Sequence, residues 1–163
     1  MLILLDIDGV MVPGTSWKRP EFLSDGFPVF SFRAVKALER IMNETGASIL
    51  LTTSHKLKYD SSHWNDIFRN RDIRVNHIAS LLTDSSKLSR KEEILSWYYS
   101  SNQSEPFVIL DDDKCLNDLP ENIKDHLVLT SSSLGLTDEL ADEAIEKLTQ
   151  GALMHEILDN KMA

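Results

Sequence analysis

The first apolar run of the chain, Ile3-Leu4-Leu5, ends in Asp6, and Asp8 and Gly9 follow within four residues of it. A second apolar run ends in Thr52-Thr53-Ser54, and a third in Asp111-Asp112-Asp113. Carboxylates gathered at one place repel one another and raise each other's pKa. A divalent cation removes that conflict. All-oxygen donors suit a hard ion, and Mg²⁺ in particular keeps waters and shares the oxygens of a bound phosphate. The hydroxyls at 52–54 can donate hydrogen bonds to those same oxygens. Arg90 and Lys91 fall in the first turn of an expected helix, where a cation opposes the helix dipole by roughly 0.3–1 kcal/mol. A local rule broken at that point marks a candidate cation for the far side of a phosphate.

The elements that must carry these groups alternate along the chain. Residues 2–6 read as a buried strand. Residues 11–31 read as a loop, broken by Pro13, Gly14, Pro20, Gly26 and Pro28. That is long for a connection inside a domain, and such loops tend to be functional. Residues 32–44 form an expected helix with Val35, Leu38, Ile41 and Met42 on one face. Strand 47–54, a helix over 60–70 and a weaker strand within 73–83 come next. Ser89 and Glu92 have the spacing of a capping box, opening a helix expected to bury Ile94, Trp97 and Tyr98. Strands follow at 106–113 and 126–130, then a helix from Thr137 with Leu140, Ala144, Ile145 and Leu148 inward, and a last short helix over 152–159. Buried strands alternating with amphipathic helices give an α/β sandwich around a mostly parallel sheet. Ligands of such sheets bind beyond the carboxyl ends of the strands, where the acids and hydroxyls fall.

A length of 163 residues suits one domain, 1–163, and 42% apolar content is too high for a disordered chain. The net charge of −9 argues against broad, sequence-blind binding to nucleic acid, which needs a basic face. It leaves room for a phosphorylated ligand held through a metal. No apolar run reaches the length of a membrane helix, and the first is too short for a secretory leader. Cys115 has no second cysteine to pair with, so a reducing cytoplasm is the expected setting. The five histidines show no metal-ligand spacing, although His55 lies near the hydroxyl cluster in sequence.

The order of these motifs resembles the haloacid dehalogenase (HAD) superfamily: "LLDIDGVM" its first motif, "ILLTTS" its second, Arg90 or Lys91 its third, "FVILDDD" its fourth. The chain is more closely similar to the small HAD-like domains found in or beside RNA-repair proteins. "DIDGV" (6–10), "LLTTS" (50–54), "RKEEILSW" (90–97), "VILDDD" (108–113) and "GLT" (135–137) carry that likeness. One departure is His55-Lys56, where such domains often carry Trp-Arg; Lys56 keeps the charge.

The resemblance implies a HAD-like, Rossmannoid three-layer sandwich with little or no cap, the 11–31 loop serving as a flap. It implies that Asp6 attacks phosphorus and forms an aspartyl-phosphate, and that Asp8 protonates the leaving oxygen and then activates water. Mg²⁺ would be held by the Asp6 carboxylate, the Asp8 backbone carbonyl, Asp111 and, directly or through water, Asp112. Gly9 would let the turn aim backbone amides at the phosphate, and Thr52, with Thr53 or Ser54 as the other holder, would bind its oxygens. Arg90 or Lys91 would neutralise charge on nucleophile and phosphate, with Lys56 as a further phosphate contact. An open site admits phosphorylated substrates from small molecules to a nucleic-acid end, and Trp17, Lys18 and Arg19 of the flap are placed to touch one. The alternative is a receiver-like signalling domain, or a phosphate-binding domain without turnover. Receivers carry adjacent acids after the first strand, whereas here D-x-D-G comes first and the adjacent acids late.

Overall fold

The computed structural model describes residues 1–15, 17–82, 87–101 and 105–162. Its centre is one sheet of five parallel strands: β1 (Leu2–Leu5), β2 (Ser48–Leu51), β3 (Ile78–Ser80), β4 (Phe107–Asp111) and β5 (Leu127–Leu129), in the order β3-β2-β1-β4-β5. Alternate residues of β1 enter different cores. Ile3 and Leu5 pack with α1 (Phe32–Thr45), α2 (Ser61–Arg69) and α5 (Asp138–Met162). Leu4 packs with Ile94 of α3 (Arg90–Ser100) and Ile123 of α4 (Glu121–Lys124). Apolar side chains on both faces are what a strand needs when helices cover both faces of its sheet. The result is the three-layer α/β sandwich expected from the sequence.

The helices start and stop where the sequence places their signals. Ser31 caps α1, which ends at Gly46 with φ +68°. Asp60 caps α2. Ser89 and Glu92 close a complete capping box on α3. Three features depart from expectation. The separate helix over 152–159 does not exist: α5 runs unbroken through Gly151, where a Cβ would come within 3.1 Å of Pro106. Gly151 therefore serves close packing rather than a helix end. The 3-10 turn Lys114–Asp118 and the one-turn α4 are too short to show as periodicity. Trp97 and Tyr98 are only half-buried, their rings 5.1 and 5.9 Å from Phe107.

The 11–31 loop leaves and rejoins the body at one place, where the Ser31 amide donates to the Met11 carbonyl (2.9 Å). Arg71, buried beyond the end of α2, fixes its far side. The guanidinium donates to Asp25 (2.7 and 3.1 Å), to the carbonyls of Phe27 and Pro28 (2.7 and 2.8 Å) and to that of Ile67 (2.7 Å). It also lies over the Phe27 and Phe30 rings. These bonds hold the Asp25 carboxyl well below the usual range, the Arg71 hydrogen bond being the main cause. The stretch of the flap from Asp25 to Phe30 is thus tied to α2 through Arg71. Among the described residues no helix is long and apolar enough to cross a membrane.

Candidate active site

Register does most of the work of assembling the site. Leu5 of β1 stands level with Leu51 of β2 and Leu110 of β4. The next residues are therefore neighbours: Asp6, Thr52 and Asp111. Two backbone bonds extend the ladder across this row, Thr52 amide to Leu5 carbonyl (2.9 Å) and Asp6 amide to Leu110 carbonyl (3.0 Å). Arg90, the first residue of α3, reaches over the row. Its Nη2 donates to Asp6 Oδ1 (3.4 Å) and its Nη1 lies 3.3 Å from Asp111 Oδ2. The capping box fixes the start of α3 and with it the origin of that side chain.

One carboxylate oxygen from each of Asp6, Asp111 and Asp112 lies within 4.8 Å of the other two. Burial raises the pKa of Asp6 against the pull of Arg90, with Asp112 and Asp8 adding to the rise. Burial, again opposed by Arg90 and reinforced by Asp6, pushes Asp111 up to about 7. Asp112 is raised too, chiefly by burial. Three acids that resist ionising together are short of positive charge. Asp111 Oδ1 accepts from the Asp113 amide (3.0 Å), while its buried Oδ2 has no hydrogen-bond partner. Arg90 Nη1, 3.3 Å away, is its ion-pair partner, whereas Thr52 Oγ1 is buried with no hydrogen-bond partner. The three clustered carboxylates are hard oxygen donors of the kind that fits Mg²⁺, and the unpartnered Thr52 hydroxyl beside them can donate to an anion.

The turn after β1 is shaped by Gly9, at φ +77°, where a Cβ would sit 2.2 Å from the Asp112 carboxyl. Only glycine combines that φ with that approach. Its carbonyl accepts from the buried Thr130 hydroxyl (2.7 Å). Set against the expectation that Gly9 lets the turn aim backbone amides at the phosphate, its own amide donates to the Val12 carbonyl (2.9 Å). The amides of Val10, Met11 and Val12 are taken by the Ile7 carbonyl.

The remaining residues sort as follows. Asp8 lines the cavity with its carboxyl outside the acidic cluster and 3.0 Å from His55 Nε2. Ser54 is exposed and lines the cavity; Thr53 is buried and its hydroxyl accepts from the His55 amide (3.3 Å). Lys56, expected at the phosphate, is corrected: it is buried and its Nζ donates to Glu93 Oε1 (2.8 Å), one turn of α3 beyond Arg90. Lys91 makes no ion pair with these carboxylates among the described residues, so Arg90 is the cation that meets them. Asp113 caps the following turn through the Cys115 amide (2.9 Å). His55 and Arg71 were not assigned roles from sequence; their partners stand 47 and 46 residues away, and no local pattern announces them.

These groups open into a cavity of about 550 Å³. Asp6, Asp8, Asp112 and Arg90 form its floor, and flap residues including Lys18, Arg19 and Val29 form a wall. A family model described as "HAD domain in Swiss Army Knife RNA repair proteins" matches residues 2–141. No curated protein and no solved structure matches the chain.

Proposed function

The chain belongs to the family of HAD domains in Swiss Army Knife RNA repair proteins, and from that premise we propose that it is a Mg²⁺-dependent phosphomonoesterase working through an aspartyl-phosphate on Asp6. The observation that carries the reading is the convergence of Arg90 on both Asp6 and Asp111 at the sheet edge. The carboxylates of Asp6, Asp111 and Asp112, with the Asp8 backbone carbonyl, are the groups to hold Mg²⁺. The ion, when bound, would neutralise charge on the phosphoryl oxygens and on the nucleophile.

The chain's own residues supply the rest. Asp6 emerges rigidly from the central strand and presents its carboxylate to phosphorus. Arg90 draws negative charge off the transferring group, and the free Thr52 hydroxyl, with Ser54 beside the cavity, orients its oxygens. Asp8, outside the cluster and facing the cavity, gives a proton to the leaving oxygen and takes one from the attacking water.

A polynucleotide end is the substrate class we favour. The family description points that way. So does the flap: Trp17 is 86% exposed beside Lys18 and Arg19, which line the cavity. An aromatic surface next to cations suits a base and its backbone phosphate. A reducing cytoplasmic setting accords with the single cysteine.

The test is phosphate release from a panel of phosphorylated compounds, including oligonucleotides with a terminal phosphate, with and without Mg²⁺. Metal-dependent release that Asp6→Asn abolishes supports the proposal. Mg²⁺ binding without turnover would make the domain a phosphate-binding one instead.

A further inference from the structure

His55 lies outside the acidic cluster, yet its imidazole meets the side chain expected to move the proton. Asp8 leaves the turn after β1 with its side chain 59% exposed, and its Oδ2 lies 3.0 Å from His55 Nε2. The imidazole, by contrast, is anchored. The His55 amide donates to the hydroxyl of buried Thr53 (3.3 Å), and the ring stands edge-on to Phe27, 5.5 Å between centroids at 85°. Phe27 is itself buried and lies under the Arg71 guanidinium. A fixed ring thus grips a carboxyl that solvent would otherwise leave free to rotate.

A general acid acts only when its proton is within hydrogen-bond reach of the leaving atom, so rotamer freedom costs rate. We infer that His55 is a positioning residue for Asp8: its Nε2–H holds Oδ2, and Oδ1 carries the transferable proton. The inference rests on the proposed phosphatase reading. In the first step the bond from Asp6 to phosphorus forms, the bond to the leaving oxygen breaks, and that oxygen takes the proton from Asp8 Oδ1. In the second step water attacks phosphorus, the bond to Asp6 breaks, and the water's proton returns to Oδ1. His55 keeps its own proton throughout.

The experiment compares His55→Phe, which keeps a ring against Phe27 and loses the donor, with His55→Gln, which keeps a donor. Each is assayed with Mg²⁺ on an aryl phosphate, whose phenolate leaves unaided, and on an alkyl phosphate, whose alkoxide must be protonated. We expect His55→Phe to lose roughly ten-fold more kcat/KM, which reports the step that expels the leaving group, on the alkyl than on the aryl substrate, within the range set by general-acid catalysis. His55→Gln should recover part of the difference. In an Asp8→Asn background, His55→Phe should cost nothing further on the alkyl substrate. In the metal-free protein, imidazole ¹⁵N shifts should show Nε2 protonated and should move on Asp8→Ala. Equal losses on both substrates, or full additivity with Asp8→Asn, would overturn the assignment while leaving the phosphatase reading intact. A wild-type protein inactive on every phosphomonoester would overturn both.

Discussion

Removing the negative charge of Asp111 should flatten the pH dependence of stability in the metal-free protein. Asp111 is fully buried at the carboxyl end of β4, and its pKa is pushed from 3.8 to about 7. A raised carboxyl pKa means that the folded chain binds a proton which the unfolded chain has already lost. Stability is therefore highest below the unfolded pKa and falls as pH rises through the window from about 4 to about 7. At 1.36 kcal/mol per unit, the three-unit displacement sets a ceiling of about 4 kcal/mol. In a domain of this size, that is a fall in Tm of roughly 8–16 °C. Asp6 and Asp112, also raised, act in the same direction. His126, lowered by burial, contributes the opposite slope near its ordinary value of 6.5, and does so equally in wild type and variant. The lowered carboxyls of Asp25, Glu92 and Glu139 act only below about pH 5, and do so equally in wild type and variant.

The assay is thermal unfolding in chelator from pH 4.5 to 8.5, for wild type and Asp111→Asn. The readout is the slope rather than the absolute Tm, because an Asn amide beside the Arg90 guanidinium carries its own cost. Wild type should lose stability with rising pH relative to the variant. Mg²⁺ should then restore more stability to wild type at pH 8 than at pH 5, since metal and protons compete for the same oxygens. Parallel slopes for the two proteins, or an Mg²⁺ effect of equal size at both pH values, would refute the reasoning.

Three further outcomes are expected. Gly9→Ala should place a methyl where the Asp112 carboxyl now stands and strain the +77° φ, costing about 1–2 kcal/mol in stability; calorimetric titration should show weakened Mg²⁺ binding as well. Arg71→Ala should leave Asp25 with only the Asn70 amide and the Phe27 N–H and take a donor from three carbonyls, with a loss of about 3–5 kcal/mol in denaturant unfolding and faster proteolysis within the flap. Arg90→Ala should lower kcat by about 10²–10³-fold, whereas Lys91→Ala should change it less than two-fold by the same assay.

Most of the fold was legible because buried strands and amphipathic helices leave strong periodic marks. The S-x-x-E spacing located the start of α3 to the residue. The acids and hydroxyls at strand ends were legible as a group because a parallel sheet puts all its carboxyl ends on one edge. What sequence left open were facts of orientation. Arg90 and Lys91 are equivalent in spacing, and only the placement of α3 against β4 sends Arg90 to the acids. Lys56 looked free for phosphate because its partner Glu93 lies 37 residues away. The separate helix expected over 152–159 is part of α5, which runs on through Gly151 where it packs against Pro106, on the segment leading into β4. The Gly9 amide was spent within its own turn, which depends on how the chain folds back after Ile7.

The central claim is that Asp6 takes the phosphoryl group. It is tested most directly by acid-quenching the protein during turnover of a phosphomonoester with Mg²⁺ and mapping the trapped group by mass spectrometry. One phosphoryl group on the peptide that contains Asp6, absent from Asp6→Asn, is the predicted result. Sustained turnover by Asp6→Asn, or a phosphoryl group trapped on another residue, would contradict it.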